Sequence, residues 1–380
     1  MSKVAVIRCE SYDYNIVKSA VARGLKLIGG PLAFARPGEK ILLKPNLLSA
    51  DPPERCSTTH PSVFKAVAES FKDAGINLTY GDSPAFHKPL TAALKAGIEQ
   101  AARELDITLA DFQNGKEVFF EEAIQNKKFI IANGVLESDG LISLPKLKTH
   151  GLARMTGCIK NQFGCIPGPL KGEFHVRIPD AIDFSKMLVD LNAFIKPRLY
   201  VMDGVVAMEG NGPRGGTPKN MNVILLSSDP VALDATVCRL INLDPEFVPT
   251  TRFGKEAGLG TYSEEEIEIV GDSLNSFIDS SFNVKREHVK PYKAGGVIQF
   301  LRNTLVPKPY IEESKCIKCG VCVKMCPVNP KALDWHHGTS DAPPTYIYKR
   351  CIRCYCCQEL CPESAILIRV PFIRKLFGKS

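Results

Sequence analysis

No apolar run in this chain of 380 residues approaches the roughly 18 that a membrane-spanning helix needs. The N-terminal stretch MSKVAVIRCESYD has neither an apolar h-region nor a cleavage site, so a cytoplasmic protein is expected. A Walker loop is missing, as is a G-x-G-x-x-G fingerprint behind a first strand, and no flavin or nicotinamide motif is legible. A basic stripe interleaved with aromatic residues is also lacking, which argues against nucleic acid as a partner. Composition is otherwise ordinary for a soluble globular chain, with 44% hydrophobic and 23% charged residues.

Cysteine is plentiful, with fourteen, and eight of them fall into a pattern. Cys316, Cys319, Cys322 and Cys326 precede Pro327, and Cys351, Cys354, Cys357 and Cys361 precede Pro362. Two copies of C-x2-C-x2-C-x3-C-P are the ligation pattern of two [4Fe-4S] clusters, in which the fourth cysteine of each copy serves the other cluster. The expected sets are therefore Cys316, Cys319, Cys322 and Cys361 for one cluster, and Cys351, Cys354, Cys357 and Cys326 for the other. A pair of zinc sites also favours C-x2-C but does not call for the following prolines. Cys356 reads as non-ligating, and His336-His337, in the insertion between the copies, as solvated. Such clusters point to a reducing cytosol, that of an anaerobe or microaerobe, and to a redox partner protein. They also temper the net charge of +7. Residues 311–380 hold eleven Lys/Arg and six Asp/Glu, a difference of +5, which two clusters with their thiolates would offset by about 4 charges.

Along the first three hundred residues strand and helix patterns alternate. Residues 3–8 predict a strand and 14–29 an amphipathic helix. Residues 38–46 read as a buried strand, Pro61 opens a helix that Gly75 ends, and 76–80 read as a strand. A helix over 90–104, a strand over 140–144 and a helix over 180–195 follow. Next come strands over 198–203 and 222–227, a helix capped by Asp229, a helix over 250–257 and a strand over 266–270. This alternation predicts an α/β body with a mainly parallel, Rossmann-like sheet, followed by an α+β two-cluster ferredoxin-like domain. The expected divisions are a body over 1–271, a connector over 272–310, a dicluster domain over 311–370 and a basic tail over 371–380. The connector should pack on the body through Phe282, Val297, Ile298 and Phe300, and the tail should dock as a terminal strand.

Ligands of such sheets collect at the carboxyl ends of strands. Three polar strand ends qualify: Lys44-Pro45-Asn46, Gly81-Asp82-Ser83, and the run from Lys146 through Lys148 to His150. The glycine- and lysine-rich stretch from Pro145 to Pro169 reads as a functional loop with a short helical piece. Lys148, His150, Lys160 and His175 are the candidate catalytic groups, able to bind an anion or move a proton. Lys146, Cys158 and Cys165 from the same region, and Asp203 and Asp234, also suit structural roles. Asn46, Asp82 and Arg214, the last in the Gly-rich loop 209–216, are candidate cofactor-binding residues, although that loop reads equally as a plain turn.

Taken together, KPN at 44–46, TTHP at 58–61, GDSP at 81–84, LPKLKTH at 144–150, TGCIKNQFG at 156–164 and DPVALDA at 229–235 resemble the domain of unknown function 362 family. Many members of that family carry a C-terminal two-cluster ferredoxin domain, and the resemblance implies an iron–sulfur protein of undisclosed reaction. One loop is also similar to the lactate racemase family, which uses a nickel-pincer nucleotide tethered to a lysine. His150, Lys160, Pro167-Gly168 and His175 fall in a similar order, and His87 matches an upstream catalytic histidine there. That likeness implies a tethered cofactor on Lys160, but Asn161-Gln-Phe-Gly departs from the family's small-residue run, and a redox-neutral racemase has no use for a ferredoxin module. The leading expectation is an oxidoreductase passing electrons from two [4Fe-4S] clusters to a small anionic substrate, or to a further cofactor, in the body. An electron carrier or maturation partner with a non-catalytic docking body is the alternative, and a tethered-cofactor enzyme is the second.

Overall fold

A ten-stranded mixed sheet forms the body in this computed structural model, which describes residues 1–289, 307–335 and 340–369. β1 (Ser2–Arg8) leads to α1 (Tyr14–Leu27), β2 (Lys40–Pro45), α2 (Pro61–Lys72) and β3 (Asn77–Tyr80). Then come α3 (Pro89–Lys95), α4 (Ile98–Glu104), β4 (Thr108–Leu109), a hairpin of β5 (Gly115–Phe119) and β6 (Lys128–Ala132), and the short α5 (Asn133–Leu136). β7 (Gly140–Leu144), β8 (Lys146–His150), β9 (Arg154–Thr156), α6 (Cys158–Asn161), α7 (Lys171–Arg177) and α8 (Ala181–Ile195) follow. β10 (Leu199–Glu209), β11 (Thr217–Ser227), α9 (Pro230–Leu240), α10 (Pro249–Glu256) and β12 (Ile267–Gly271) complete the body.

The strand order is β12-β1-β11-β10-β7-β2-β3-β4, with β8 on β10 and β9 on β8. β2 shows why the sheet is covered on both faces. Ile41 and Leu43 join the core under α1 and α2, while Leu42 points the other way, to Phe112, Leu141 and Cys165. Each such buried side chain contributes about 1.5–3 kcal/mol. Because β7, β2 and β3 are parallel neighbours, the three polar strand ends expected to carry ligands emerge side by side.

Several local expectations change in the fold. The helix over 90–104 is two helices, broken at Gly97, whose φ of +72° lies in the left-handed region and whose missing Cβ makes room for Pro61. Much of the 145–169 loop is regular: β8 and β9 pair antiparallel, and β8 adds to β10 beyond the point where β7 stops. β10 and β11 are longer than their apolar cores and antiparallel to each other. The Gly-rich stretch between them is too short for the crossover that parallel strands need.

Of the connector, residues 272–289 wrap the body. Phe277 and Phe282 are buried in its second core, and Arg286 donates to the carbonyls of Asn242, Ile241 and Phe282. Val297, Ile298, Phe300, His336, His337 and the tail over 371–380 lie outside the described residues. The C-terminal unit consists of β13 (Lys308–Ile311), α11 (Val321–Lys324), β14 (Leu333–Asp334), β15 (Thr345–Tyr346), α12 (Cys356–Leu360) and β16 (Ile366–Arg369). β13 pairs antiparallel with β16, so this unit's first strand begins at Lys308. Three cysteines share its small core with Val323, Leu333, Ala365 and Ile366.

The body grips this unit mainly around α12. Arg214 Nη1 donates to Leu360 O at 2.7 Å, Arg55 Nη1 to Pro362 O at 2.7 Å, and Asn211 Nδ2 to Ile366 O at 3.3 Å. Gln358 Nε2 returns a hydrogen bond to Asn211 Oδ1.

Candidate functional site between the body and the cluster-binding unit

One pocket, about 750 Å³ including its open mouth, collects Asn46, Asp82, Lys148, Lys160 and His175 from the strand ends, α6 and α7. Its opposite wall comes from the C-terminal unit, through Met325, Cys356, Glu359 and Leu360. The body wall is built by a buried polar network. Thr59 Oγ1 donates to Leu144 O at 2.6 Å and accepts from Asn46 N at 2.8 Å, tying the ends of β7 and β2 together. Asn46 Nδ2 then donates to Asn161 Oδ1 at 2.9 Å, and Lys148 Nζ donates to Asn46 Oδ1 at 2.7 Å and to Ser57 O.

Asp82 pairs with Lys44 at 2.9 Å and accepts from the amides of Leu47 and Ser83, so its carboxylate organises the pocket floor. Gly164 packs directly over this pair, and any Cβ there would collide with Asp82 Oδ1 and Lys44 Nζ.

Burial dominates the electrostatics of the site. It lowers Lys148, with help from Lys160, to about 7, and it lowers Lys171 to about 8. Lys160 is lowered by the same cause. His175 is brought to about 4 by burial; its ring stacks on Phe184 at 4.6 Å and meets Phe163 edge-on. It is therefore neutral near pH 7, with one ring nitrogen able to donate and the other to accept.

His150 stands behind the pocket wall. Its Nδ1 accepts from the amides of Leu152 and Ala153 at 3.0 and 3.2 Å, which places the proton of the neutral ring on Nε2. That nitrogen lies 2.9 Å from Glu359 Oε1, although the two groups are not aligned for a full hydrogen bond. Burial holds His150 at about 4. Burial would raise Glu359, but His150, Lys160 and His175 together lower the carboxyl to about 2, so it stands as a carboxylate beside the His150 ring.

The other candidates fall elsewhere. Arg214 grips Asp51 through Nε and Nη2 at 2.7–3.2 Å, outside the pocket lining. Lys146 pairs with Asp203 at 2.8 Å and donates to Tyr12. Asp229 caps α9 by accepting from Ala232 N, and Asp234 accepts from Cys158 N at 2.7 Å, fixing the start of the turn that carries Lys160. Cys158 and Cys165 are fully buried in packing positions. His87 Nδ1 sits 3.3 Å from Ser49 Oγ, away from the pocket. Lys171, Glu359 and Thr156 line the pocket without having been singled out from sequence, and Cys356, read there only as non-ligating, lines it too. Lys171 lies two residues past the lysine-rich stretch, but nothing in the spacing around Glu359 distinguishes it from a solvated helix residue.

The eight patterned cysteines gather around two cavities. Cys316, Cys319, Cys322 and Cys361 surround one cavity of about 350 Å³, and Cys326, Cys351, Cys354 and Cys357 another of about 340 Å³. Hydrogen bonds already point at three sulfurs: Ala332 N at Cys326 and Ala365 N at Cys361, at 3.3 and 3.2 Å, and Tyr346 Oη lies 3.2 Å from Cys357 Sγ. No set of three or more His, Cys, Asp or Glu among the described residues converges on a single ion. Thiolates spread around a cavity, with donors to sulfur, fit an iron–sulfur cluster. Cys356 lines the pocket rather than either of these cavities.

Residues 41–239 match the family described as Domain of unknown function (DUF362), and residues 307–365 match the 4Fe-4S dicluster domain, so the C-terminal unit binds iron–sulfur clusters. A thylakoid-associated protein of Synechocystis sp. is 34% identical over 266 residues, covering 70% of this chain and 82% of that protein. A chloroplastic NAD(P)H-quinone oxidoreductase subunit I of Zygnema circumcarinatum is 30% identical over 84 residues, covering 20% of this chain and 42% of that subunit. Among solved structures, the lactate racemase apoprotein of Thermoanaerobacterium thermosaccharolyticum aligns with a TM-score of 0.41 at 15% identity, covering 63% of this chain and 57% of that one. No helix among the described residues is long and apolar enough to cross a membrane.

Proposed function

The chain belongs to the family described as Domain of unknown function (DUF362), and we propose that it is an iron–sulfur oxidoreductase. In this reading two [4Fe-4S] clusters serve a small anionic substrate, or a further cofactor, held between the body and the C-terminal unit. One observation carries it. Met325, Cys356 and Leu360, the sequence neighbours of Cys326, Cys357 and Cys361, line the same pocket as Lys148, Lys160 and His175.

When bound, the clusters supply electrons one at a time. The chain's own residues do the rest. Lys148, Lys160 and Lys171 offset negative charge on the occupant in a site that Phe163, Leu47 and Leu360 shield from water. Lys148 and Lys171, at about 7 and 8, exchange protons near neutral pH, and neutral His175 offers an N–H and a lone pair at the same surface. A redox protein that exchanges single electrons with the C-terminal unit completes the proposal, which places the chain in a reducing cytoplasm.

Purification without oxygen, followed by metal, sulfide and small-molecule analysis, tests this. The expected result is the iron and sulfide of two clusters together with an organic ligand that Lys160→Met protein no longer retains. Iron and sulfide alone, with pocket amides exchanging freely in both proteins, would favour an electron carrier with a docking body.

A further inference from the structure

Three polar groups lining the pocket lack a hydrogen-bond partner among the described residues: Glu359 Oε1, which lies 2.9 Å from His150 Nε2 without alignment, and Thr156 and Lys160, which are near neighbours in the chain. Thr156, only 3% exposed, has a buried hydroxyl with no hydrogen bond. Lys160, four positions later at the end of the turn into α6, makes no hydrogen bond or ion pair with a described residue; the Phe163 ring lies 5.8 Å from its Nζ. The other pocket ammonium groups are engaged, Lys148 by Asn46 and Ser57, and Lys171 by Ser83 O. A buried hydroxyl is normally paired, so an orphan lining the same pocket as an ammonium that makes no hydrogen bond calls for an acceptor from outside the chain.

We propose that Thr156 and Lys160 form a carboxylate-binding subsite, so that the occupant of the pocket is an organic acid. Two donors match the two oxygens of a carboxylate. Phosphate carries more charge and more oxygens than this end of the pocket serves, and Glu359 on the facing wall opposes a dianion. Lys160 shares this region with Cys356 and Glu359 of α12, so the acid group lies at the cluster side of the pocket. The reducible part of the molecule then sits within a few bonds of its carboxylate. This rests on the reading of the pocket as a substrate site.

Calorimetric titration of the anaerobically purified, cluster-loaded full chain tests the subsite. Acetate, crotonate and benzoate serve as probes, with inorganic phosphate as the competing anion. At least one carboxylate should bind more tightly than phosphate. Thr156→Val and Lys160→Met should each weaken that binding roughly ten- to hundredfold, and Thr156→Ser should restore it. Unchanged visible cluster absorbance and unfolding temperature confirm that the variants are folded. The proposal is overturned if phosphate binds as tightly as every carboxylate, if none binds, or if Thr156→Val binds like the parent, as when water satisfies the hydroxyl. Carboxylate binding with no electron transfer to any occupant would sink the oxidoreductase reading and leave the subsite standing.

Discussion

His150 Nε2 and Glu359 Oε1 stand 2.9 Å apart across the seam between the body and the cluster-binding unit. With Nδ1 already accepting from two backbone amides, the ring proton can only face that carboxylate. Glu359→Ala removes the carboxylate that faces this buried N–H, at a cost of about 1–3 kcal/mol. Denaturant unfolding should show this loss, and His150→Ala combined with Glu359→Ala should cost less than the two single changes added. A double-mutant cycle with no coupling energy would show that the pair is mere proximity.

Arg214 is the second tie across the seam. It is bound to Asp51 on the body side and to the Leu360 carbonyl on the other. Arg214→Met leaves Asp51 buried and unpaired, a loss of about 3–5 kcal/mol. Hydrogen exchange should quicken in α12 more than in the central strands, and adding Asp51→Asn should recover part of the stability. Exchange that rises uniformly over the whole chain would contradict a local tie.

Cluster assignment is checked by paired cysteine variants. Cys354→Ser should lower iron well below the about eight atoms per chain of two cubane clusters. Cys356→Ser should leave iron content and the visible spectrum unchanged, because that residue lines the pocket and neither cysteine-ringed cavity. Equal loss of iron in both would make Cys356 a ligand.

Stability should rise with pH around neutrality. Burial brings Lys148 from its ordinary 10.5 to about 7. Between those values the unfolded chain holds a proton that the folded chain releases, so each step up in pH favours folding until the unfolded lysine also titrates. His175, lowered from 6.5 to about 4, acts in the same direction at lower pH. Urea midpoints measured from pH 7 to 9 should climb in the parent and climb less steeply in Lys148→Met, where Lys171, lowered to about 8, still contributes. Parallel curves would show that Lys148 keeps an ordinary pKa in the folded chain.

Gly164 is a packing constraint on the site. Gly164→Ala puts a methyl group into the Lys44–Asp82 pair and should cost about 1–3 kcal/mol, read as a lower thermal midpoint. Retained stability would mean that the pair can move aside.

Much of this protein was legible without its fold. The eight patterned cysteines were legible from spacing alone, because a small ligation motif is local and its geometry demands fixed separations, and in the fold they line two cavities. The parallel core around β2 and its polar strand ends follow from apolar runs and turn residues. Strand status for Lys146–His150 was not legible, since a lysine-rich segment becomes a strand only when long β10 offers it a free edge.

The sequence by itself determined that a body of α/β character is joined to a dicluster unit, and it named Asn46, Asp82, Lys148, Lys160 and His175 as residues worth watching. Only the tertiary structure decided that these line one pocket, that Arg214 is bound elsewhere, and that Glu359, Cys356 and Met325 close the pocket from some two hundred residues away in the chain. Local patterns specify elements and ligand sets, but a site shared by two units depends on how their surfaces dock. That is set by long-range contacts such as Arg214 to Leu360 and Arg55 to Pro362, which leave no periodic trace in the sequence.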